Sequence, residues 1–129
     1  MTNPAPGFKK YPGHRVDTRP SSTHIRVIYK GEVLADTRNA VELHESYGEG
    51  KKTVAPVVYY IPREDVKMDR LSRTSHSTHC PFKGDASYFS LKGGAENAVW
   101  SYEQPYDEMA AIKGHLAFYP DKVDSIEAS

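Results

Sequence analysis

The stretch HIRVIYKGEVLAD, residues 24–36, decides the fold class of this chain. Apolar side chains at every second position from Ile25 to Tyr29 follow the period that places one face of a β-strand in a core. Lys30-Gly31-Glu32 is typical of a turn, and Val33 to Asp36 is long enough for a short returning strand. The stretch therefore predicts a β-hairpin.

Further strand patterns follow this hairpin. Ala40 to Glu45 alternates apolar and polar residues, and the polar stretch Ser46 to Thr53 predicts a loop. The apolar run Val54 to Ile61 suits a strand that is covered on both faces, so we expect it to be the central strand. Ser72 to Asp85 is polar and rich in breakers, which predicts a second long loop.

The C-terminal half predicts another hairpin and short helices. Ala86 to Leu91 and Asn97 to Tyr102 are strand patterns joined by a glycine turn, and His115 to Tyr119 predicts a last strand. Pro62 is well placed to begin a short helix, and Pro105 to Ile112 predicts another. The economical architecture is mainly β, with two antiparallel β layers and one or two short helices.

The N-terminal stretch reads differently. Thr2 to Ser22 carries four prolines and few aliphatic residues, so it lacks the periodicity of a regular element. We expect residues 1–22 to be an extended or flexible arm, with Phe8 and Tyr11 as anchors if it lies on the domain, and residues 23–129 to form a single β-rich domain.

Composition excludes several functional classes. Seventeen Lys and Arg balance seventeen Asp and Glu, so bulk electrostatics predicts no nucleic-acid partner. No apolar run is long enough for a membrane helix, and Met1 to Lys10 has no signal-peptide core. The single Cys80 cannot form an internal disulfide, which fits a reducing, cytoplasmic location. Exposed strand edges would allow a homodimer, but no sequence feature requires one.

The sharpest chemical motif is Thr78-His79-Cys80-Pro81-Phe82-Lys83-Gly84. Nearby positive charge from His79 or Lys83 would hold Cys80 as a reactive thiolate. However, His79 and Cys80 point to opposite sides of an extended segment, and Cys80 is equally interpreted as a small buried hydrophobe. Lys83 beside Gly84 could contact a carboxylate, phosphate or carbonyl, or could be a solvated turn lysine.

A zinc site is the weaker interpretation of the same motif. His76, His79 and Cys80, with His115, have workable spacing, but structural zinc sites normally pair two sets of ligands and this chain has one thiol. We therefore predict no metal site and no cofactor.

Other candidate site residues lie on the predicted strands and on the helix after Pro62. Asp65 is either a helix-terminus partner or a site carboxylate paired with Lys83 or His79. Aromatic side chains on strands are either plain core or the walls of a pocket with orienting hydroxyl groups. The candidate walls are Tyr60, Tyr88, Trp100 and Tyr102.

Five motifs, in this order, resemble a bacterial and fungal family of domains of unknown function that carries a nucleotidyltransferase-type label. They are Gly31–Asp36, Tyr59–Val66, Thr78–Gly84 with Ala86 and Tyr88, Val99–Tyr102, and Ala117–Pro120. The resemblance runs from about Pro12 to about Val123. It implies a compact β fold similar to a β-tent, and a pocket where the motifs meet.

The label itself is not matched by the chemistry of the residues. Nucleotidyl transfer normally uses carboxylates that hold a divalent metal beside a phosphate-binding glycine loop. Asp65 and Asp69 are one helical turn apart, but Gly93-Gly94 belongs to a hairpin turn and matches no P-loop.

Three functional hypotheses remain. In the favoured one, the domain binds a small polar or anionic ligand between the aromatic walls, with Lys83, Asp65 and Thr78 as polar contacts. In the second, it is an enzyme with Cys80 or Lys83 as nucleophile and His79 or Asp65 as general base. In the third, it is a protein-interaction domain that presents an apolar surface patch instead of a pocket.

Overall fold

A computed structural model describes residues 2–48, 52–53 and 56–129, with the backbone alone for 52–53. A short helix, α1 (Gly7–Lys10), precedes the strands. The strands are β1 (His14–Pro20), β2 (Ile25–Tyr29), β3 (Glu32–Thr37), β4 (Val41–Tyr47), β5 (Lys52–Thr53), β6 (Val58–Tyr60), β7 (Leu71–Cys80), β8 (Gly84–Leu91), β9 (Val99–Ser101), β10 (Ala117–Phe118) and β11 (Ser125–Ala128).

These strands form three antiparallel sheets. Sheet 1 has the order β1-β4-β5, with β6 also paired to β4; sheet 2 has the order β10-β9-β8-β7; sheet 3 has the order β11-β2-β3. The prediction of a mainly β fold with antiparallel strands and few short helices is confirmed.

Sheet 2 is covered on both faces, because neighbouring residues of its strands enter two different cores. Phe89 and Val99 pack with sheet 3, whereas their neighbours Tyr88 and Trp100 pack with sheet 1. Successive side chains of a strand point to opposite faces, so each strand of sheet 2 serves both cores. The core on the side that meets sheet 1 contains Tyr60, Tyr88, Tyr102 and Tyr119, and it is the side of interest below.

The first predicted hairpin is confirmed in detail. β2 and β3 pair in antiparallel register from Ile25↔Thr37 to Tyr29↔Glu32. Lys30 and Gly31 both have positive φ, at 49° and 75°, as a two-residue turn of the I′ kind requires. The predicted second hairpin is confirmed as well, since β8 pairs with β9.

The predicted loop from Ser72 to Asp85 is wrong. Its first part is the long strand β7, which pairs with β8 from Leu71↔Leu91 to Cys80↔Gly84 with a register shift between Arg73 and Ser77. β7 is an edge strand with mostly exposed side chains, so it carries no apolar alternation for a sequence pattern to reveal. Its pairing with β8 outweighs its local composition.

The predicted central strand is also wrong. Within Val54 to Ile61 the strand β6 covers only Val58–Tyr60, and its described ladder is with β4 alone. The central strand of sheet 1 is β4, which pairs with β1 along one side and with β5 and β6 along the other. The predicted loop Ser46 to Thr53 is shorter than expected, because residues 46–47 belong to β4 and residues 52–53 form β5. Residues 49–51 and 54–55 lie outside the described residues.

The N-terminal stretch contains regular structure that its composition does not predict. α1 and β1 both fall within residues 1–22, and β1 pairs along its whole length with β4, from His14↔Tyr47 to Pro20↔Val41. The second half of the expected arm is therefore part of sheet 1.

Apart from α1, the helical segments are short 3₁₀ turns, the last of which covers Pro120–Lys122. The chain after Pro62 forms two of them, Arg63–Asp65 and Met68–Arg70, instead of one helix, and a third covers Asp107–Ile112 as predicted. The predicted last strand shortens to β10, and the unpredicted β11 follows it. Among the described residues no helix has the length and apolar character needed to cross a membrane.

We predict that Leu116→Ala strongly destabilises the domain. Leu116 is fully buried, and its backbone exchanges two hydrogen bonds of 2.8 Å with Ile61, which tie the end of sheet 1 to the start of β10. The cavity left by the substitution should cost about 2–5 kcal/mol in the free energy of unfolding, measured by urea denaturation.

Val57→Ala is the control for this prediction, because Val57 is 39% exposed. Its cost should stay below about 1 kcal/mol. Equal, small losses in the two variants would contradict the packing described for Leu116.

Candidate functional site

The site is built around the turn that joins β7 to β8. Cys80 pairs with Gly84 across the turn, and Gly84 has φ of +111°, a conformation that favours glycine. The turn places the Phe82 ring in the core, 7% exposed, and directs Lys83 inward, so that only 13% of its side chain is exposed. In the structure, the Lys83-Gly84 pair of the sequence motif thus forms a turn that buries the lysine side chain.

The ammonium group of Lys83 meets a buried carboxylate from β4. Lys83 Nζ donates to Glu45 Oε1 at 2.5 Å, while the other carboxylate oxygen, Oε2, lies 3.1 Å from His14 Nε2. The side chains of His14 and Glu45 are each 18% exposed. We call these three residues the Glu45 cluster. It joins β1, β4 and the β7–β8 turn through one carboxylate.

The environment keeps Glu45 ionised. Burial acts to raise the pKa of Glu45, but the hydrogen bond and positive charge of Lys83, followed by the contact with His14, outweigh burial and lower it. A carboxylate with these partners stays charged at neutral pH, and it holds the ammonium of Lys83 in place.

Aromatic side chains with polar atoms lie next to this cluster. Trp100 Nε1 donates to the Tyr60 hydroxyl at 3.1 Å, and the Tyr60 and Tyr102 rings lie 6.3 Å apart. Burial raises the pKa of Tyr60 and of Tyr102 strongly, and the charge of Glu45 raises both further. Glu45 is therefore within electrostatic reach of both phenols, which stay neutral hydrogen-bond donors at physiological pH.

Two further phenols, those of Tyr88 and Tyr119, extend the same face of sheet 2. The Thr78 hydroxyl and the Tyr88 hydroxyl lie 2.9 Å apart. The Tyr119 ring lies beside that of Trp100, with a centroid distance of 4.5 Å and an interplanar angle of 44°. Burial, followed by a hydrogen bond with Tyr88, raises the pKa of Tyr119 to about 12. We call Tyr60, Thr78, Tyr88, Trp100, Tyr102 and Tyr119 the aromatic site.

Cys80 belongs to this side of the hairpin. It is half-buried and packs against the core cluster that contains Tyr60, Tyr88 and Tyr102. A negative charge on its sulfur would raise the pKa of Tyr60 and Tyr102, so the thiol lies within electrostatic reach of both phenols.

His79 lies on the opposite face of β7 from Cys80. Its Nδ1 is 2.7 Å from Asp85 Oδ1, and both side chains are exposed. They line a polar groove of about 550 Å³ together with Arg73 and Glu103, which form an ion pair. The sequence expectation that His79 and Cys80 point to opposite sides matches this arrangement.

Asp65 lies elsewhere in the structure. Its carboxylate accepts a hydrogen bond of 2.7 Å from the Thr37 hydroxyl of β3, beside a shallow groove lined by sheet 3. Asp69 belongs to the second 3₁₀ turn, so the two carboxylates do not share the helix face that one continuous helix would give them. The structure thus does not bring Asp65 to Lys83 or His79, whose partners are Glu45 and Asp85.

The histidines of the zinc hypothesis do not converge. The His76 ring stands edge-on to Tyr88 at 4.5 Å, His79 faces the polar groove, and His115 Nδ1 lies 3.0 Å from the Lys113 carbonyl oxygen. Across the described parts of the chain, no three His, Cys, Asp or Glu side chains are grouped to hold a metal ion.

The structure brings together seven of the nine residues selected from the sequence and adds three. The seven are Tyr60, Thr78, Cys80, Lys83, Tyr88, Trp100 and Tyr102; the three are His14, Glu45 and Tyr119. Glu45 lies two residues after the buried Leu43 and so on the same face of β4, and a carboxylate on this apolar strand face was the available signal. His14 had no such signal, because its strand was not expected.

Fold and site together define a mainly β domain in which a buried ionic cluster lies beside phenol and indole side chains. Residues 17–129 match the model of a family described as "Domain of unknown function (DUF427)", with the short label NTP_transf_9. The match covers most of the chain, so the chain belongs to this family, and the resemblance noted from the motifs is confirmed. A search of curated proteins finds no match.

We predict that Glu45→Gln lowers stability at neutral pH and leaves it unchanged in acid. Because folding lowers the pKa of Glu45, its ionised form stabilises the fold above the ordinary glutamate pKa, and this contribution is lost as pH falls through the folded-state value. The substitution should cost about 1–3 kcal/mol at pH 7, since it leaves Lys83 without its counter-charge.

Urea unfolding of both proteins between pH 7 and pH 3 tests this, and the two curves should converge at the acid end. Glu127→Gln is the control, because Glu127 is exposed and lies 3.6 Å from Arg26 in a surface pair. Its effect should stay within about 0.5 kcal/mol at every pH. A Glu45→Gln deficit that persists at pH 3 would contradict the assignment.

Proposed function

We propose that this domain binds a small anionic ligand with a flat apolar body, at the aromatic site beside Lys83. The observation that carries the proposal is the burial of the Lys83–Glu45 pair, with Glu45 within electrostatic reach of the neutral phenols of Tyr60 and Tyr102. A buried ion pair adds little net stability compared with apolar packing, so its presence beside polar aromatic groups points to a role in binding.

The cation supplies the polar end of the site. Lys83 has three donor hydrogens, and the bond to Glu45 uses one of them. A carboxylate ligand would accept a charge-assisted hydrogen bond from the ammonium and further bonds from the tyrosine hydroxyls. The raised pKa values of Tyr60 and Tyr102 favour this, because ionised phenols would repel an anion.

The rings supply the apolar walls. The Trp100 and Tyr119 rings lie 4.5 Å apart at an angle of 44°, and Trp100 also lines an apolar groove of about 400 Å³ with Val58 and Phe118. Binding sites for small molecules are mostly apolar with a few convergent polar groups, which is the composition found here. A flat ligand body fits such walls better than a branched one.

Binding is favoured over catalysis by the arrangement of the candidate acid–base groups. A general base must lie within hydrogen-bond reach of the group that it activates. His79 is on the far face of β7 from Cys80, and Asp65 is bonded to Thr37. No contact described above favours the third hypothesis, a protein-interaction domain, over ligand binding.

The same proposal includes a reducing, cytoplasmic location and a β-tent-like arrangement of the sheets. The location is supported by a composition with one cysteine, Cys80, which is unpaired. The β-tent interpretation is supported by the three antiparallel sheets, of which sheet 2 is covered on both faces.

Titration with benzoate tests the proposed function. Trp100 is the only tryptophan, and it lies in the site, so its fluorescence reports binding directly. We expect a saturable change with benzoate, and a Kd at least about tenfold weaker in Lys83→Met because a charge-assisted hydrogen bond is lost. Circular dichroism should show that the variant remains folded.

Lys113→Met is the control variant, because Lys113 is exposed and lies outside the site. It should bind benzoate like the unmodified protein. The proposal is overturned if neither benzoate nor inorganic phosphate gives a saturable signal, or if the two lysine variants bind equally well.

A further inference from the structure

The segment before β1 packs directly on the turn that carries Lys83. Residues 2–14, here called the N-terminal segment, include the first residue of β1 and precede the family match, which begins at residue 17. Gly7 N donates to the carbonyl oxygen of Pro81 at 2.9 Å, which fixes α1 on the turn. The segment therefore adds contacts to the site from outside the matched residues.

Gly7 makes the closest of these contacts. A Cβ atom at this position would lie 2.7 Å from two ring atoms of Phe82 and 2.8 Å from the Pro81 oxygen. Real Cβ contacts are not this short, so any other residue here must displace the turn. Because Phe82 directly precedes Lys83, such a displacement reaches the ammonium group.

Three rings of the N-terminal segment surround Phe82. Phe8 contacts it edge-on at 5.1 Å, Tyr11 lies 6.1 Å away, and His14 stacks nearly parallel to it at 4.1 Å. The stacking orients the His14 imidazole so that its Nε2 meets Glu45. The His14 ring thus contacts both Phe82 in the turn and the Glu45 carboxylate that holds Lys83.

The other side of the turn is tied to the same segment. Tyr106 N donates to the carbonyl oxygen of Lys83 at 3.1 Å, and the next residue, Asp107, exchanges hydrogen bonds of 2.6 and 3.0 Å with the backbone of Asn3. Ala5 N donates to Glu108 at 2.8 Å. Both flanks of the Lys83 turn are therefore held by residues 3–7 or by their direct partners.

We infer that the charge of His14 sets how tightly the site binds an anion, and that the N-terminal segment holds Lys83 in its binding position. This rests on the proposed function. With His14 neutral, the charges of Lys83 and Glu45 cancel; with His14 protonated, the Glu45 cluster carries one net positive charge. An anion is then bound more tightly by the protonated form.

The groups that face His14 allow this effect. From β4 they are Glu45, at 3.1 Å, and the Tyr47 ring, at 6.4 Å; from the β7–β8 turn they are the Phe82 ring and, through Glu45, Lys83. Imidazole is the side chain that ordinarily changes charge between pH 5 and pH 8, so pH is the variable with which to test a charge effect at this position.

Calorimetric titration of benzoate from pH 5.5 to pH 8.5 tests the role of His14. Benzoate stays ionised over this range, as carboxylates do. We expect Kd to weaken about tenfold towards high pH, the order expected for one charge several ångströms away in a half-buried site. His14→Phe keeps the stacking on Phe82 and removes the ionisable ring, so its Kd should not vary with pH.

The matched control is His24→Phe, because His24 pairs with Asp36 on sheet 3. This variant should retain the pH dependence of the unmodified protein. The inference is overturned if His14→Phe keeps the dependence or if His24→Phe loses it. Benzoate binding that depends on Lys83 but not on His14 would leave the proposed function standing and reject this inference alone.

The positioning role has a test that needs no ligand. Acetic anhydride modifies lysine amines in proportion to their accessibility, and mass spectrometry gives the rate at Lys83. Gly7→Ala should raise that rate about fivefold or more by opening the turn, whereas Gly13→Ala should not, because its Cβ would make ordinary contacts from 3.5 Å outwards. Equal Lys83 rates in the two variants would overturn the positioning role, whatever benzoate does.

Discussion

One carboxylate, that of Glu45, connects the parts of this molecule that bear on function. It lies on the central strand of sheet 1 and contacts both the N-terminal strand β1 and the β7–β8 turn of sheet 2. The contribution of such a pair to stability is limited by the cost of removing both charges from water. Its effect on geometry is larger, because a buried ammonium has few alternative partners and must stay where the carboxylate holds it.

Because sheet 2 is covered on both faces, the β7–β8 hairpin directs its polar and reactive side chains into two different environments. Strand alternation sends Thr78, Cys80 and Tyr88 towards sheet 1, and His79 and Asp85 towards the polar groove. Residues that are neighbours in the sequence motif therefore act in different environments. The residues of the motif are close in sequence because together they form a tight hairpin. Their side chains do not form one site.

Sequence patterns predicted the fold where apolar residues alternate, as in β2, β3 and β8. They failed at β7 and β1, whose polar or proline-containing segments become strands only by pairing with β8 and β4. The same limit applies to the site: the aromatic residues and Lys83 could be selected by type and motif, whereas His14 reaches Glu45 only through a long-range pairing of β1 with β4. Glu45 was the missed residue that alternation along β4 would have identified.

The charge of the Glu45 cluster also limits the class of ligand that the proposed function allows. The Glu45 cluster contributes either no net charge or one positive charge, and the neighbouring tyrosines are neutral. A ligand with one negative charge matches this site, because a single ammonium and neutral hydroxyl donors can solvate it. A nucleoside triphosphate carries several negative charges, which need matching cations, and its phosphates would approach the carboxylate of Glu45. The nucleotide-transfer label of the family therefore fits the electrostatics of this site poorly, whereas a small carboxylate fits them well.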